Sequence, residues 1–288
     1  MPVIKIFSPG GPHLAAAVMG AMAAGLSEPV VEIPANAPKS RAEKTRRGNP
    51  NQLVCKQHVF PVRSIQRFAG ADNRVAVRDL TSGRDRRAKP QDRVFCADRA
   101  WDQRAEAGYM KEIEDNFQVV ADAIINGQSA ISTPDQRQAV ERMFALWYMR
   151  GRYRALDAQE VGLHPTTGDS HTKEEEENLE AKGYLFARTG GRMPARQFNG
   201  LQLQRRIDDY SSALSAIERW GIVTPQAGEF LVADVPTHTI LPLAPKLALV
   251  GPAADGMITE ENLALLNRAI RADSRRYLFA RVFADCSV

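Results

Sequence analysis

Cysteine is scarce in this chain: Cys55, Cys96 and Cys286 are odd in number and far apart. That excludes a disulfide framework and points to a reducing compartment. No apolar run reaches the ~18–20 residues that crossing a bilayer requires. The apolar stretch from Leu14 to Leu26 is Ala-rich and follows a single charged residue, Lys5, and the interruption Ser8-Pro-Gly-Gly-Pro12. It reads as a buried helix rather than a secretory signal. These absences place the protein in the cytoplasm, with no membrane partner. Two further signatures are missing. Ser8–Pro12 lacks the spacing and the Lys-Ser/Thr of a phosphate-binding P-loop. Cys55 and His58 have no second pair at comparable spacing, which weakens a four-coordinate zinc site. His164 and His171 sit in a polar loop and would complete a site only through folding.

Apolar residues make up 44% of the 288 and charged residues 25%, ordinary values for a globular chain that buries a sizeable core. Thirty-eight Lys and Arg stand against 34 Asp and Glu, and the excess is uneven. Cations crowd the stretch from Arg41 to Arg104 and recur at Arg188, Arg192, Arg196, Arg205 and Arg206, while Glu174–Glu177 is a local acidic run. A basic face of this kind attracts phosphates. Solvated Arg paired with scattered Asp accounts for the same composition.

Short strands are expected at Val3–Phe7 and Arg74–Leu80, then at Gly228–Ala233, Thr239–Leu243, Lys246–Val250 and Tyr277–Phe283. Pro61 opens a few helical turns to Phe68. From Ala105 to Asn126, apolar residues recur every three or four positions and Gly127 ends the helix. A second long helix starts with Thr133 as cap and Pro134 at the first position and runs to Leu156. A short acidic helix is expected at Lys173–Lys182, another long helix at Leu201–Trp220, and a further helix after Thr259. Strands at both ends with helices between predict an α+β fold. That fold is one helix-rich domain with a small, mostly antiparallel sheet formed by N- and C-terminal strands. Residues 1–50 would hold a strand, the Ala-rich helix and a basic loop, and residues 51–288 the main domain.

Several residues stand out chemically. Arg150, Arg152 and Arg154 end the second long helix. They suit its dipole there, or they form a cationic clamp for phosphate or carboxylate. Asp234 closes a strand in Phe230-Leu-Val-Ala-Asp-Val-Pro236, with His238 four residues on. An Asp at that point is a turn former or, with His, a water-activating or metal-ligating group.

His58-Val-Phe-Pro61, followed by Ile65 and Phe68, resembles the opening signature His-Tyr-x-Pro-x-x-x-Leu-x-x-Phe of the bacterial domain-of-unknown-function family DUF 4238. Later features fall in the same order: Glu114 in Ile113–Phe117, the aromatic helix ending in Arg150, Asp234, Leu241-Pro-Leu-Ala-Pro245, and Asn267 before Tyr277. The resemblance spans roughly residues 51–283. Val59, Ile65 and Val235 depart from it, where Tyr, Leu and Asn are usual. The family carries no established activity, so the resemblance implies an architecture and candidate residues, not a reaction.

Two functions follow as expectations. The first is a nucleic-acid-binding protein or metal-dependent nuclease of a defence or toxin type. In it Arg63, Arg67, Arg150 and Arg152 bind phosphate, while His58, Glu114, Asp234 and His238 converge on a divalent ion such as Mg²⁺ or Mn²⁺. The second is a non-catalytic module that binds or regulates a partner protein, with His58 and Asp234 as buried hydrogen-bonding groups. One geometric question divides them: do His58, Glu114, Arg150 and Asp234 meet in one place?

Overall fold

The computed structural model describes residues 42–154 and 160–288. The expected strand at Val3–Phe7, the turn at Ser8–Pro12, the Ala-rich helix and nearly all of the N-terminal unit lie outside the described residues, as does Leu156. The rest is a helix-rich α+β fold, as expected.

The His58 signature lies at the centre. Strand β1 (Lys56–His58) pairs antiparallel with β4 (Cys96–Asp98), which sets His58 opposite Cys96. Val59 and Phe60 then turn into the core and are fully buried, and Pro61 opens α1 (Val62–Gln66). Phe60 packs on Trp147 with ring centroids 4.6 Å apart, and Phe68 meets Phe279 edge-on at 5.6 Å. Full burial of such a side chain contributes about 1.5–3 kcal/mol. The signature's apolar residues thus anchor the strand end that carries His58.

A turn of π-helix (Ala105–Met110) leads into α2 (Lys111–Ile125), whose buried face includes Ile113, Phe117, Val120 and Ile124. Helix α3 (Pro134–Tyr153) starts as expected: the Thr133 hydroxyl accepts from the Gln136 amide and Pro134 occupies the first turn. Apolar residues line most sides of α3, and it is buried over much of its length between α2 and α5 (Ala195–Leu214). Between α3 and α5 come β5 (Val161–Gly162), α4 (Lys173–Ala181) and β6 (Arg192–Met193).

The expected single sheet is in fact two four-stranded sheets, beside the two-stranded pairs β1–β4 and β5–β6. One runs in the order β3 (Arg84–Ala88), β2 (Val75–Asp79), β12 (Tyr277–Ala280), β8 (Val232–Ala233), and is antiparallel throughout. It joins early and late parts of the chain, as the sequence suggests. The other comes wholly from the last third: β11 (Gly256–Ile258), β7 (Gly221–Pro225), β10 (Leu247–Val250), β9 (Ile240–Ala244), with β7 and β11 parallel. Helix α6 (Glu260–Asp273), capped by Thr259, packs beside β8.

The expected strand at Gly228–Ala233 is reduced to Val232–Ala233, and helix α5 and strand β3 differ from expectation for physical reasons. Helix α5 begins at Ala195 rather than Leu201 and runs straight through Gly200. A Cβ there would sit 1.9 Å from the Asp102 carboxylate, so Gly200 makes room for a buried side chain instead of breaking the helix. Helix α5 also stops at Leu214, before Trp220, because Ile222-Val-Thr224 is β-branched and joins a sheet as β7. Strand β3, Arg-Asp-Arg-Arg-Ala, has no apolar alternation to betray it. It forms on a sheet edge, where charged side chains are tolerated and block further pairing.

Candidate functional site

Arg150 points from the last turns of α3 into the core, where its side chain is only 1% exposed. Its Nη2 donates to Glu106 Oε2 at 2.9 Å, and its Nη1 donates to Glu114 Oε1 and, at 3.1 Å, to the main-chain oxygen of His58. The guanidinium also lies over the Trp101 ring, and Trp101 Nε1 donates to Glu106 Oε2 at 2.6 Å. Three of the four residues named from sequence therefore meet: His58, Glu114 and Arg150. One guanidinium faces two carboxylates, which leaves the cluster one negative charge in excess when both are ionised. Burial pushes the Glu114 carboxyl up, Arg150 opposes the shift, and Glu106 adds to it.

The His58 ring lies on the other side of its strand end. Its Nε2 is 3.6 Å from Cys96 Sγ, and the Pro90 backbone lies close beside the ring. Burial lowers the imidazole's pKa and raises the Cys96 thiol to about 11. At neutral pH the pair is therefore uncharged imidazole and thiol, not thiolate and imidazolium.

Asp234 meets α3 at Gly151, the residue after Arg150. Gly151 lets the β8 end approach α3 closely: a Cβ there would meet the Asp234 carbonyl oxygen at 2.7 Å and Val235 Cγ2 at 2.9 Å. The carboxylate is 1% exposed and accepts from two consecutive amides, Arg275 at 2.9 Å and Arg276 at 3.0 Å, just before β12. Its own amide donates to Tyr277 O at 3.2 Å. Burial raises its pKa against the pull of those amides and of Arg154. Arg154 links the two halves. Its Nη2 donates to the carbonyls of Cys96 (2.6 Å) and Val94 (3.1 Å), and its guanidinium lies over the Tyr277 ring. Asp234 thus belongs to the same polar network as His58, but as a clamp on the backbone rather than beside Glu114.

The remaining expected residues are elsewhere. His238 Nε2 lies 3.3 Å from Asp273 Oδ2, its only ion pair among the described residues, at a small apolar cavity lined by Trp147, Leu231 and Ile270. Arg63 and Arg67 both bind Asp122 of α2, at 2.5 and 2.7 Å. Arg152 is half-buried and makes no ion pair among the described residues. The expected convergence of His58, Glu114, Asp234 and His238 on one divalent ion is therefore not the arrangement found. Among the described residues no three His, Cys, Asp or Glu side chains form a metal-ligand group.

Glu106 and Cys96 are the members that reading the sequence missed, and Arg154 was singled out there only as a helix-end cation or clamp. Glu106 stands eight residues before Glu114, on one face once the helical run is extended back through the π-turn, and that spacing was a usable signal. Cys96 comes opposite His58 only through the β1–β4 register, and nothing local announces it.

The basic stretch behaves in two ways. Fifteen Lys and Arg stand against seven Asp and Glu between residues 42 and 104. Around β3, four of those cations are matched by neighbouring acids: Arg78–Asp85, Arg86–Asp92, Arg87–Asp72 and Arg93–Asp98, all within 2.8 Å. Lys56, Arg74, Arg84 and Lys89 are exposed and have no such partner among the described residues. Lys89 and Arg93 flank Pro90, whose backbone touches the His58 ring.

No family model, curated protein or solved structure matches the chain, so the likeness to DUF 4238 rests on the order of its motifs alone.

Proposed function

We propose that this chain binds nucleic acid on the basic face around β3 and the following loop, next to His58. The observation that carries this reading is the position of Pro90. It brings the half-buried His58 ring against the loop that carries exposed Lys89 and Arg93. The neighbouring Arg–Asp pairs are exposed, and such pairs are worth only about 0–1 kcal/mol, so phosphate can compete for their cations. Backbone phosphates, not bases, would dominate such a contact.

Binding to labelled single-stranded RNA, single-stranded DNA and duplex DNA over a range of NaCl tests it. A linear fall of log affinity with log salt, made shallower by the Arg84→Gln and Lys89→Gln pair, is expected. Absence of binding, or binding indifferent to salt, overturns it. Cleavage is a separate question on the same samples. Strand scission on adding Mg²⁺ or Mn²⁺, lost in a folded Glu114→Gln protein, assigns nuclease chemistry to the Glu106–Glu114 carboxylate pair. Intact strands leave a binding protein.

A second reading, a module that binds or regulates another protein, is favoured by the Arg150 and Asp234 contacts. Each spends its hydrogen-bonding capacity on holding chain segments together. Salt-independent capture of a partner protein, with no nucleic-acid binding, would select it.

A further inference from the structure

Residues 42–52 cross α4 and the start of α5 without burying an apolar side chain; the first to do so is Leu53. Charge holds this segment at two points. The Glu43 carboxylate accepts from Arg196 and, at 2.8 Å, from Arg188 Nη2, while its carbonyl accepts from Arg99 Nη1 at 2.8 Å. Three residues on, the Arg46 amide donates to Glu177 Oε1 at 2.6 Å and its guanidinium pairs with Glu177 and Glu174. The strap's own charged groups, Glu43 and Arg46, remain 36% and 30% exposed, so dissolved salt reaches them.

The surface beneath is paired without the strap. Arg196 and Arg99 both keep Glu180 at 2.7 Å, buried on either side. Arg188 keeps Glu176 at 2.5 Å, and Glu160 as well. Losing Glu43 therefore strands no buried cation, which is the usual penalty for breaking a buried pair. Glu174 and Glu177 lose Arg46; Glu174 is already exposed, and Glu177 becomes open to water as Arg46 leaves. Against the strap, the half-buried Cys55 has its Sγ 3.9 Å from Thr45 Oγ1.

We infer that Glu43–Arg47 is a salt-latched strap that opens as a unit over an intact body and uncovers Cys55. The protein carries its own reporters. Cys55 is half-buried and touches the strap at Thr45, whereas Cys96 and Cys286 are each 5% exposed within the body.

Alkylation with iodoacetamide, an uncharged reagent, at low and high NaCl, followed by peptide mass spectrometry, reads all three thiols at once. Cys55 labelling is expected to rise several-fold with salt in the wild-type chain. In Glu43→Gln and Arg46→Gln it should be fast already at low salt. Cys96 and Cys286 should not change. A Cys55 rate indifferent to both salt and substitution overturns the strap. So does a parallel rise of all three thiols in the wild-type chain, which would mean general loosening. Should a variant fold poorly, its Cys96 labelling shows that, and the wild-type salt series alone decides.

Discussion

Arg150 and Arg86 are the same side chain in opposite surroundings. Arg150 is 1% exposed and holds two carboxylates from one helical run and a carbonyl from β1. Arg86 is 43% exposed and forms a two-pronged pair with Asp92, both bonds at 2.8 Å. In the interior, attraction between charges is strong, but so is the cost of taking them from water. At the surface both terms shrink. The buried group fixes which segments meet, and the exposed one mainly contributes charge.

The sharpest break of this contrast is Arg150→Met, which keeps the bulk and removes the charge. It leaves Glu106 and Glu114 facing each other in a half-buried site without a cation, and should cost about 3–5 kcal/mol of unfolding free energy in urea denaturation. Adding Glu114→Gln should recover part of that loss, because the repulsion between carboxylates disappears. A loss under about 1 kcal/mol would make the buried cluster no different from a surface pair.

Asp234 tests the intermediate case, a buried carboxylate whose hydrogen-bond partners are neutral amides. Asp234→Ala removes the partner of the Arg275 and Arg276 amides beside β12, and a hydrogen bond to a charged group is worth about 1.5–3 kcal/mol. Relief of the buried charge, whose pKa burial already raises, offsets some of this. The net loss should be about 2 kcal/mol, with hydrogen exchange accelerated first at Arg275 and Arg276. Unchanged exchange there would deny the clamp.

How much of this was legible beforehand follows from the range of the forces involved. Helix α3 announced itself through Thr133, Pro134 and its apolar spacing, all local. So did the role of Phe60 and Phe68, as large apolar residues beside a helix start. The meeting of His58, Glu114 and Arg150 was reached through the order of motifs, not through spacing, since 56 residues of chain separate His58 from Glu114. What stayed hidden depends on long-range register. Cys96 faces His58 because β1 and β4 pair. Asp234 reaches α3 because Gly151 lacks a side chain. Strand β3 exists because a neighbouring strand offers hydrogen bonds to a run with no apolar pattern. The basic bias was visible, but its partial cancellation was not: Asp72, Asp85, Asp92 and Asp98 find their Arg partners through turns and strand pairing.

The smallest expected effect lies at the exposed end of the contrast. Arg86→Gln should shift stability by no more than about 0.5 kcal/mol. The double-mutant cycle with Asp92→Asn isolates the pair, because Asn keeps the side-chain oxygen that accepts from the Val94 amide. The Arg86 hydrogen bonds hold the Asp92 carboxyl below its ordinary pKa, against the opposing effect of burial. Whatever coupling exists is therefore full at neutral pH and lost as pH falls through that lowered value. It should also fade in high salt, where exposed charges are screened. A coupling that survives salt and rivals the loss in Arg150→Met would place Arg86 among the groups that hold the fold, and would remove it from those free to meet phosphate.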